Sequence, residues 1–381
     1  MKKIFITSAS LFAVTLLFLG VYRIAFRNDP NDPTADEKRR KAVQEESKAG
    51  FESEQAEREA VETVSDGPVY GPAAVGGNMI AFFRDGALRS FSLGGGGEQV
   101  VISDLPGKLL DVRWAPDRHA ALAFLGSGTT RRWHLVDLET DSVTALKDGM
   151  LSPSWSNLSE RIFYFYRKPD EGLSVDTAKP DGSEWKAVGS VPALRDPVGQ
   201  AVPNSTLFSF FGRPTAYETS ALSVIPVTGG EARSIFDGKY GADFSWSPDG
   251  KKLLISNTVT SGGADVRLGL ANQNGGEFHT LQVPTVVGKT VWSKDGRTVY
   301  YALPLSLPDD IAMPDDYASG SFMTSDSFWK LDTETGKSER IVPLENMAGD
   351  FDSTNLFLDE NEDFLFFVNR RDDRLYRIGL R

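Results

Sequence analysis

The chain has 381 residues, a formal charge of -12, three histidines and no cysteine. The charge argues against nucleic acid as a partner, because phosphate binding needs a basic footprint. The missing cysteine excludes disulfides, thiolate metal sites, a cysteine nucleophile and a lipoprotein anchor. Abundant glycine (36) and proline (20) favour many short strands joined by turns.

The run from Ile4 to Tyr22 carries no charge. At about 1.5 Å per residue it nearly matches the roughly 30 Å hydrocarbon core of a bilayer. It ends in Gly20-Val21-Tyr22-Arg23, with no small-x-small triplet for cleavage. Residues 1–27 are therefore expected to form an uncleaved single-pass anchor, with the membrane as a partner through residues 4–22. Lys2 and Lys3 before the run are nearly balanced by Arg23 and Arg27 after it. The Lys-Lys-apolar start has the form of an export signal, so the bulk of the chain is expected on the extracytoplasmic side.

Residues 28–66 change character. Thr34-Ala35-Asp36-Glu37 fits a capping box, and the stretch that follows is rich in helix formers of both charges. Ala42, Ala49 and Ala56 recur every seven residues but are small, and Gly50 interrupts them. The expectation is a charged, partly helical stalk rather than a coiled coil.

The rest of the chain repeats. Trp114, Trp155, Trp246 and Trp292 head similar segments spaced 41, 91 and 46 residues apart. A fifth, LDENEDFLFFVN from Leu358, aligns with them, and AVPNSTLFSFF near residue 202 fills the double gap. Turn tetrads at Gly94, Glu139, Pro180, Thr228, Gln273 and Glu334 mark the same period independently. Periods of about 40 to 50 residues with four strands each belong to β-propellers. Six turns and a final strand pair predict an all-β propeller over 67–381, of seven four-stranded blades or of six. The last unit lacks a fourth strand, so a segment within 60–70 is expected to pair with 374–380 and close the ring.

Trp246-Ser247-Pro248-Asp249-Gly250-Lys251 and Trp292-Ser293-Lys294-Asp295-Gly296-Arg297 resemble the WD40-like (PD40-type) repeats of TolB-type bacterial propellers. The resemblance covers residues 70–381 and implies the propeller fold. Trp114 lacks the glycine of the pattern, and Trp155 lacks both aspartate and glycine. The aspartates and glycines serve tight turns, and the tryptophans are expected to pack between blades.

Signs of catalysis are few. There is no G-x-S-x-G elbow, and His119, His134 and His279 fall in three different repeats without metal-ligand spacing. Asp359, Asn361 and Asp363 open like a calcium loop, but Phe364 and Arg370 stand where glycine and glutamate are needed. No cofactor and no metal are expected.

One feature exceeds the repeat. The sixth unit carries an insertion within 303–326, with Asp309, Asp310, Asp315 and Asp316 beside Tyr317 and Phe322. Loops on rigid scaffolds often bind, and aromatics dominate hot spots. These six residues are the candidate partner-binding site. The expected function is a membrane-anchored, non-enzymatic interaction platform in the cell envelope, with an envelope protein as partner. A tethered hydrolase or lyase, or a sensor holding a small ligand in the central funnel, is the alternative.

Overall fold

The computed structural model describes residues 60–168 and 171–380. The expected anchor, and the stalk up to residue 59, lie outside them. The expectation of a single-pass membrane protein is corrected. A spanning helix needs about 20 apolar residues, and no helix among the described residues is long and apolar enough to cross a membrane. The one α-helix described, α1 (Asp315–Ser319), has five residues. The Ile4–Tyr22 run on which that expectation rested is outside the described residues.

Strands dominate. After β1 (Val61–Thr63) come β2 (Tyr70–Ala74), β3 (Met79–Arg84), β4 (Ala87–Ser92) and β5 (Gln99–Ile102), which form sheet A. Sheet B contains β6 (Lys108–Trp114), β7 (Ala120–Ser127), β8 (Thr130–Asp137) and β9 (Ser142–Ala145). Sheet C contains β10 (Met150–Trp155), β11 (Ile162–Lys168), β12 (Gly172–Ala178) and β13 (Lys186–Val191). Sheet D has seven strands: β14 (Pro197–Ala201), β15 (Leu207–Gly212), β16 (Thr219–Pro226), β17 (Arg233–Trp246), β18 (Lys252–Thr258), β19 (Val266–Asn272) and β20 (His279–Thr280). Sheet E follows with β21 (Thr290–Trp292), β22 (Thr298–Pro304), β23 (Asp326–Asp332) and β24 (Ser338–Arg340). Sheet F joins β25 (Ser353–Leu358), β26 (Phe364–Asn369) and β27 (Arg374–Gly379) to β1. Neighbouring strands are antiparallel throughout.

The second strand of each unit reads as a nearly continuous apolar run, such as IFYFYRK in β11 or FLFFVN in β26, and is buried on both faces. That pattern marks a sheet covered on both sides. The covers are the neighbouring sheets. Phe83 and Leu88 of A pack with Leu125 and Val136 of B, and Leu122 of B packs with Trp155 and Tyr164 of C. Phe165 of C packs with Phe208 of D, Leu254 of D with Val299 of E, and Phe328 of E with Phe367 of F. Phe366 of F then meets Phe82 of A. The sheets stand in a closed circle.

β1 closes it. Val61, Glu62 and Thr63 pair with Ile378, Arg377 and Tyr376, and the Val64 amide donates to the Leu375 carbonyl at 2.8 Å. The expected closing segment within 60–70 is therefore the strand at 61–63. Val61 is buried, and the Arg377 guanidinium holds Glu62 at 2.6 Å.

The expected inter-blade role of the tryptophans is also visible. The Trp114 indole N–H donates to the Gly71 carbonyl of sheet A, and Trp155 to the Arg113 carbonyl of sheet B. The Asp-Gly segments are turns. Asp249 Oδ1 accepts from Ser247 Oγ at 2.7 Å and from the Lys251 amide at 3.1 Å. Gly250 has φ +71°, and a Cβ there would strike the Pro203 carbonyl oxygen, so both conformation and space require glycine.

Candidate functional site

The first strands β2, β6, β10, β14, the second half of β17, β21 and β25 lie innermost, and their two ends define two different mouths. At their starts lie the β20–β21 and β24–β25 connections together with the insertion, residues 305–325, between β22 and β23. The insertion reaches across this end. Asp315 Oδ2 accepts from the Ala216 amide at 3.0 Å, and the Met313 amide donates to the Gly263 carbonyl at 3.2 Å. Tyr317 Oη donates to Asp352 Oδ1 at 2.7 Å. Ile311 and Met313 are buried against Val266, with Tyr317 and Phe322 packed onto them.

The six expected site residues thus divide. Asp309 and Asp310 are exposed. Asp316 accepts from the Ala312 amide at 2.7 Å, and Asp315 anchors the insertion to sheet D as above. Tyr317 stacks under the Arg370 guanidinium, 4.4 Å from ring centre to carbon, and Phe322 leans on its ring.

Below the insertion lies a buried ion cluster. Lys289 is 2% exposed. Its ammonium donates to Asp326 Oδ2 at 2.6 Å, Asp352 Oδ1 at 2.8 Å, Thr324 Oγ1 at 2.9 Å and the Ser353 carbonyl at 3.0 Å. Burial alone would pull the lysine pKa down; Asp326 and its other partners overcome that and leave it raised. Burial likewise opposes ionisation of Asp352, but bonds from Lys289, Tyr317 and Thr324 hold its pKa below the usual value. The cluster joins three segments that are far apart in sequence, and no spacing or motif announces it.

At the other end, where the Asp-Gly turns lie, the centre is open. One hollow of about 730 Å³ is walled by β2, β6, β21 and β25. A second, of about 520 Å³, is walled by β6, β10, β14 and β17. They meet at Val112, Trp114, Pro116 and Arg118 and form one funnel. No residue of the insertion lines either hollow. The rim is tied from turn to turn. The Asp117 amide donates to Ser159 Oγ, Asn157 Nδ2 to the Val202 carbonyl, Asn204 Nδ2 to the Pro248 carbonyl, and the Lys294 amide to Glu362 Oε1.

Asp243 lies two residues deeper along β17 than Ser245, a residue of the funnel wall. Its side chain keeps some contact with solvent, yet the crowding protein pushes its carboxyl up to about 6, against the Phe244 amide and the charges of Arg213 and Arg113. A raised folded pKa means stability is full below the ordinary carboxylate value and is lost as pH rises through about 6. Asp243→Asn escapes that loss. Its melting temperature should gain on the wild type between pH 4.5 and 7.5, by the equivalent of about 1–3 kcal/mol. A gain that does not vary with pH would place the ionisation elsewhere.

The other titratable residues give little chemistry. His119, on the rim, holds Glu139 through Nδ1 at 2.6 Å, and no hydroxyl among the described residues bonds its other nitrogen. His134 is buried in β8 against the Arg132 carbonyl, and His279 is exposed. Asp359 accepts from the Phe364 amide at 2.7 Å as a turn residue. Among the described residues no group of three or more histidine, aspartate or glutamate side chains could hold a metal ion.

A closed circle of radially packed antiparallel sheets, with its inner strands lining a central funnel, is a β-propeller. Solved structures agree. The chain is similar to oligogalacturonate lyase from Vibrio parahaemolyticus, with a TM-score of 0.58 at 11% identity over 84% of this chain and 93% of that one. It is similar to the β-propeller domain of the trilobed protease from Pyrococcus furiosus, with a TM-score of 0.54 at 14% identity over 82% and 96%. That domain is described as having an open velcro topology, whereas here β1 joins the two ends of the ring. Likeness to TolB from Acinetobacter baumannii is weaker, with a TM-score of 0.45 at 14% identity over 66% of this chain and 58% of that one. No family model and no curated protein matches the chain. At these identities the likenesses show the fold alone.

Proposed function

We propose that this propeller is a non-enzymatic binding platform that takes a segment of a partner protein into the funnel on its Asp-Gly side. The observation that carries the reading is the pair of joined hollows at one end, opposite an end that the insertion covers. Their sizes fall within the range of about 300–1,000 Å³ typical of ligand sites. A rim tied turn to turn is already organised, so little ordering is needed on binding. We also read sheet D as two blades that share β17, because Val202 and Phe211 of its first half pack with Leu253 and Ile255 of its second as separate sheets do elsewhere. That count gives seven blades.

The alternative is a hydrolase or lyase. Its candidates are Asp243, with a raised carboxyl pKa and Ser256 opposite it across the β17–β18 ladder, and the His119–Glu139 pair, whose ring bonds no hydroxyl among the described residues. A competing reading, in which the insertion binds in place of the funnel, has one observation behind it. On the insertion, Leu305 is 55% and Met323 49% exposed, with Asp309 and Asp310 open to solvent. Partner contact through the candidate loop would use this edge rather than Tyr317.

Filling the funnel tests the reading. Gln200 lines the second hollow, and its carbonyl accepts from Ser209 Oγ. Gln200→Trp should leave the melting temperature within roughly 2 °C and abolish capture of the partner from crosslinked cells. Tyr317→Ala with Phe322→Ala should lower stability and spare capture. The reverse pattern would move the binding site to the insertion.

A further inference from the structure

We infer that the funnel selects its partner by an acidic side chain, gripped by the guanidinium of Arg118 with Arg113 beside it. The inference rests on the funnel being the binding site and adds the chemistry of what it binds.

Arg118 is one of three non-glycine residues, with Ser159 and Glu362, at the positive-φ position of the turns on the Asp-Gly side. In Trp114-Ala115-Pro116-Asp117-Arg118 it stands where the sibling turns carry Gly250 and Gly296. Its backbone keeps their conformation, with φ +67° against +71° and +63°. A bulky side chain in the left-handed region is strained, and such strain gathers at functional positions. Glycine would suit the turn better, yet the position carries a permanently charged side chain.

That side chain borders both hollows. It has no hydrogen-bond or ion-pair partner among the described residues, and its neighbour Asp117 is already engaged by the His119 amide at 3.0 Å. Asp359 is engaged by the Phe364 amide and Glu362 by Ser293 Oγ and the Lys294 amide; Glu360 also lines the first hollow, so the carboxylate grip is placed in the second, which no acid lines. Arg113 and Arg118 are the only charged residues lining the second hollow, in a chain of net charge -12. Each arginine has an acidic neighbour, Asp111 Oδ2 on an Arg113 nitrogen at 3.0 Å and Asp117 attracting Arg118 through space, so what the pair offers is the open Arg118 fork and not an excess of charge. A guanidinium fork binds a carboxylate through two parallel hydrogen bonds, and Trp114 and Trp155 flank it with apolar surface.

The test is fluorescence anisotropy of labelled decaglutamate with the full chain at low salt, beside decaglutamine and a galacturonate oligomer. Decaglutamate should bind, weaken as salt rises, and lose affinity about tenfold or more with Arg118→Gly, as for a charge-assisted bond. Arg118→Gly should also keep or raise the melting temperature, because glycine relieves the positive φ; a purely structural arginine would not separate the two readouts. Arg118→Lys, which keeps the charge but loses the fork, should fall between. Gln200→Trp should abolish binding. Loss with Gln200→Trp but not with Arg118→Gly overturns the carboxylate grip and leaves the funnel reading standing. Binding that survives both variants, or decaglutamine bound equally well, overturns the inference. Galacturonate bound through Arg118 with decaglutamate ignored overturns the protein partner as well.

Discussion

Replacing Lys289 with methionine should destabilise the propeller by about 3–5 kcal/mol, the usual result of stripping the partner from buried charges. Asp326 and Asp352 are fully buried and lose their shared cation. For a domain of this size the loss corresponds to roughly 10 °C in melting temperature. The pH dependence follows from the pKa directions. Asp352 is held below its ordinary value, so in the wild type its contribution is present above the ordinary carboxylate pKa and disappears as pH falls through the folded one. Lys289 is raised, so its contribution is complete below the ordinary lysine value and fades only as pH climbs through the higher folded pKa. In Lys289→Met, Asp352 keeps only the longer contact to Arg370 at 3.4 Å, and further neutralisation of the two carboxylates requires proton uptake. The gap between variant and wild type should therefore be smaller at pH 5 than at pH 8. A gap that widens towards acid would mean that the cluster stays charged without its lysine.

Deleting residues 60–65 should cost still more. Val61 leaves the interface between sheets E and F, a loss of about 1.5–3 kcal/mol. The β1–β27 ladder and the bonds of Val64 and Ser65 to Leu375 go with it, at about 0.5–1.5 kcal/mol each. β27 then becomes a bare edge and a template for association. The deletion should lower the melting temperature by roughly 10 °C or more and promote aggregation on heating. Removing Gly95 and Gly96 from the exposed β4–β5 turn should shift it by no more than roughly 2 °C. Equal shifts would mean that the ring is not held shut by β1.

The fold was largely legible because each repeat carries its own local chemistry. The Trp and Asp-Gly pattern marks a strand end and a tight turn, and the turn tetrads mark the hairpins. The missing fourth strand of the last unit pointed to a donor near residue 60, and β1 is that strand. β17 was not legible as one strand. Turn and tryptophan markers imply two, but Gly238 and Gly241, at φ +79° and +57°, let the chain bend from the outer edge of one group of strands into the centre of the next.

The site was less legible, and for a physical reason. The insertion could be located by length alone, but not the side on which its apolar residues lie, because that depends on Val266 and the β24–β25 connection. Lys289, Asp326 and Asp352 come from separate connections and share no pattern. Asp243 acquires its altered pKa from surroundings that only the closed ring supplies. Arg118 was the exception. Its departure from glycine is visible in the sequence, although the funnel that gives the departure meaning is not.

The central claim is that partners meet the open funnel and not the covered end. Site-specific photocrosslinking separates the two directly, with a benzophenone amino acid placed in the full chain at Gln200 or at Asp309. The expected result is a discrete protein adduct from the Gln200 position and none from Asp309. Adducts from Asp309 alone would contradict the claim and assign binding to the insertion.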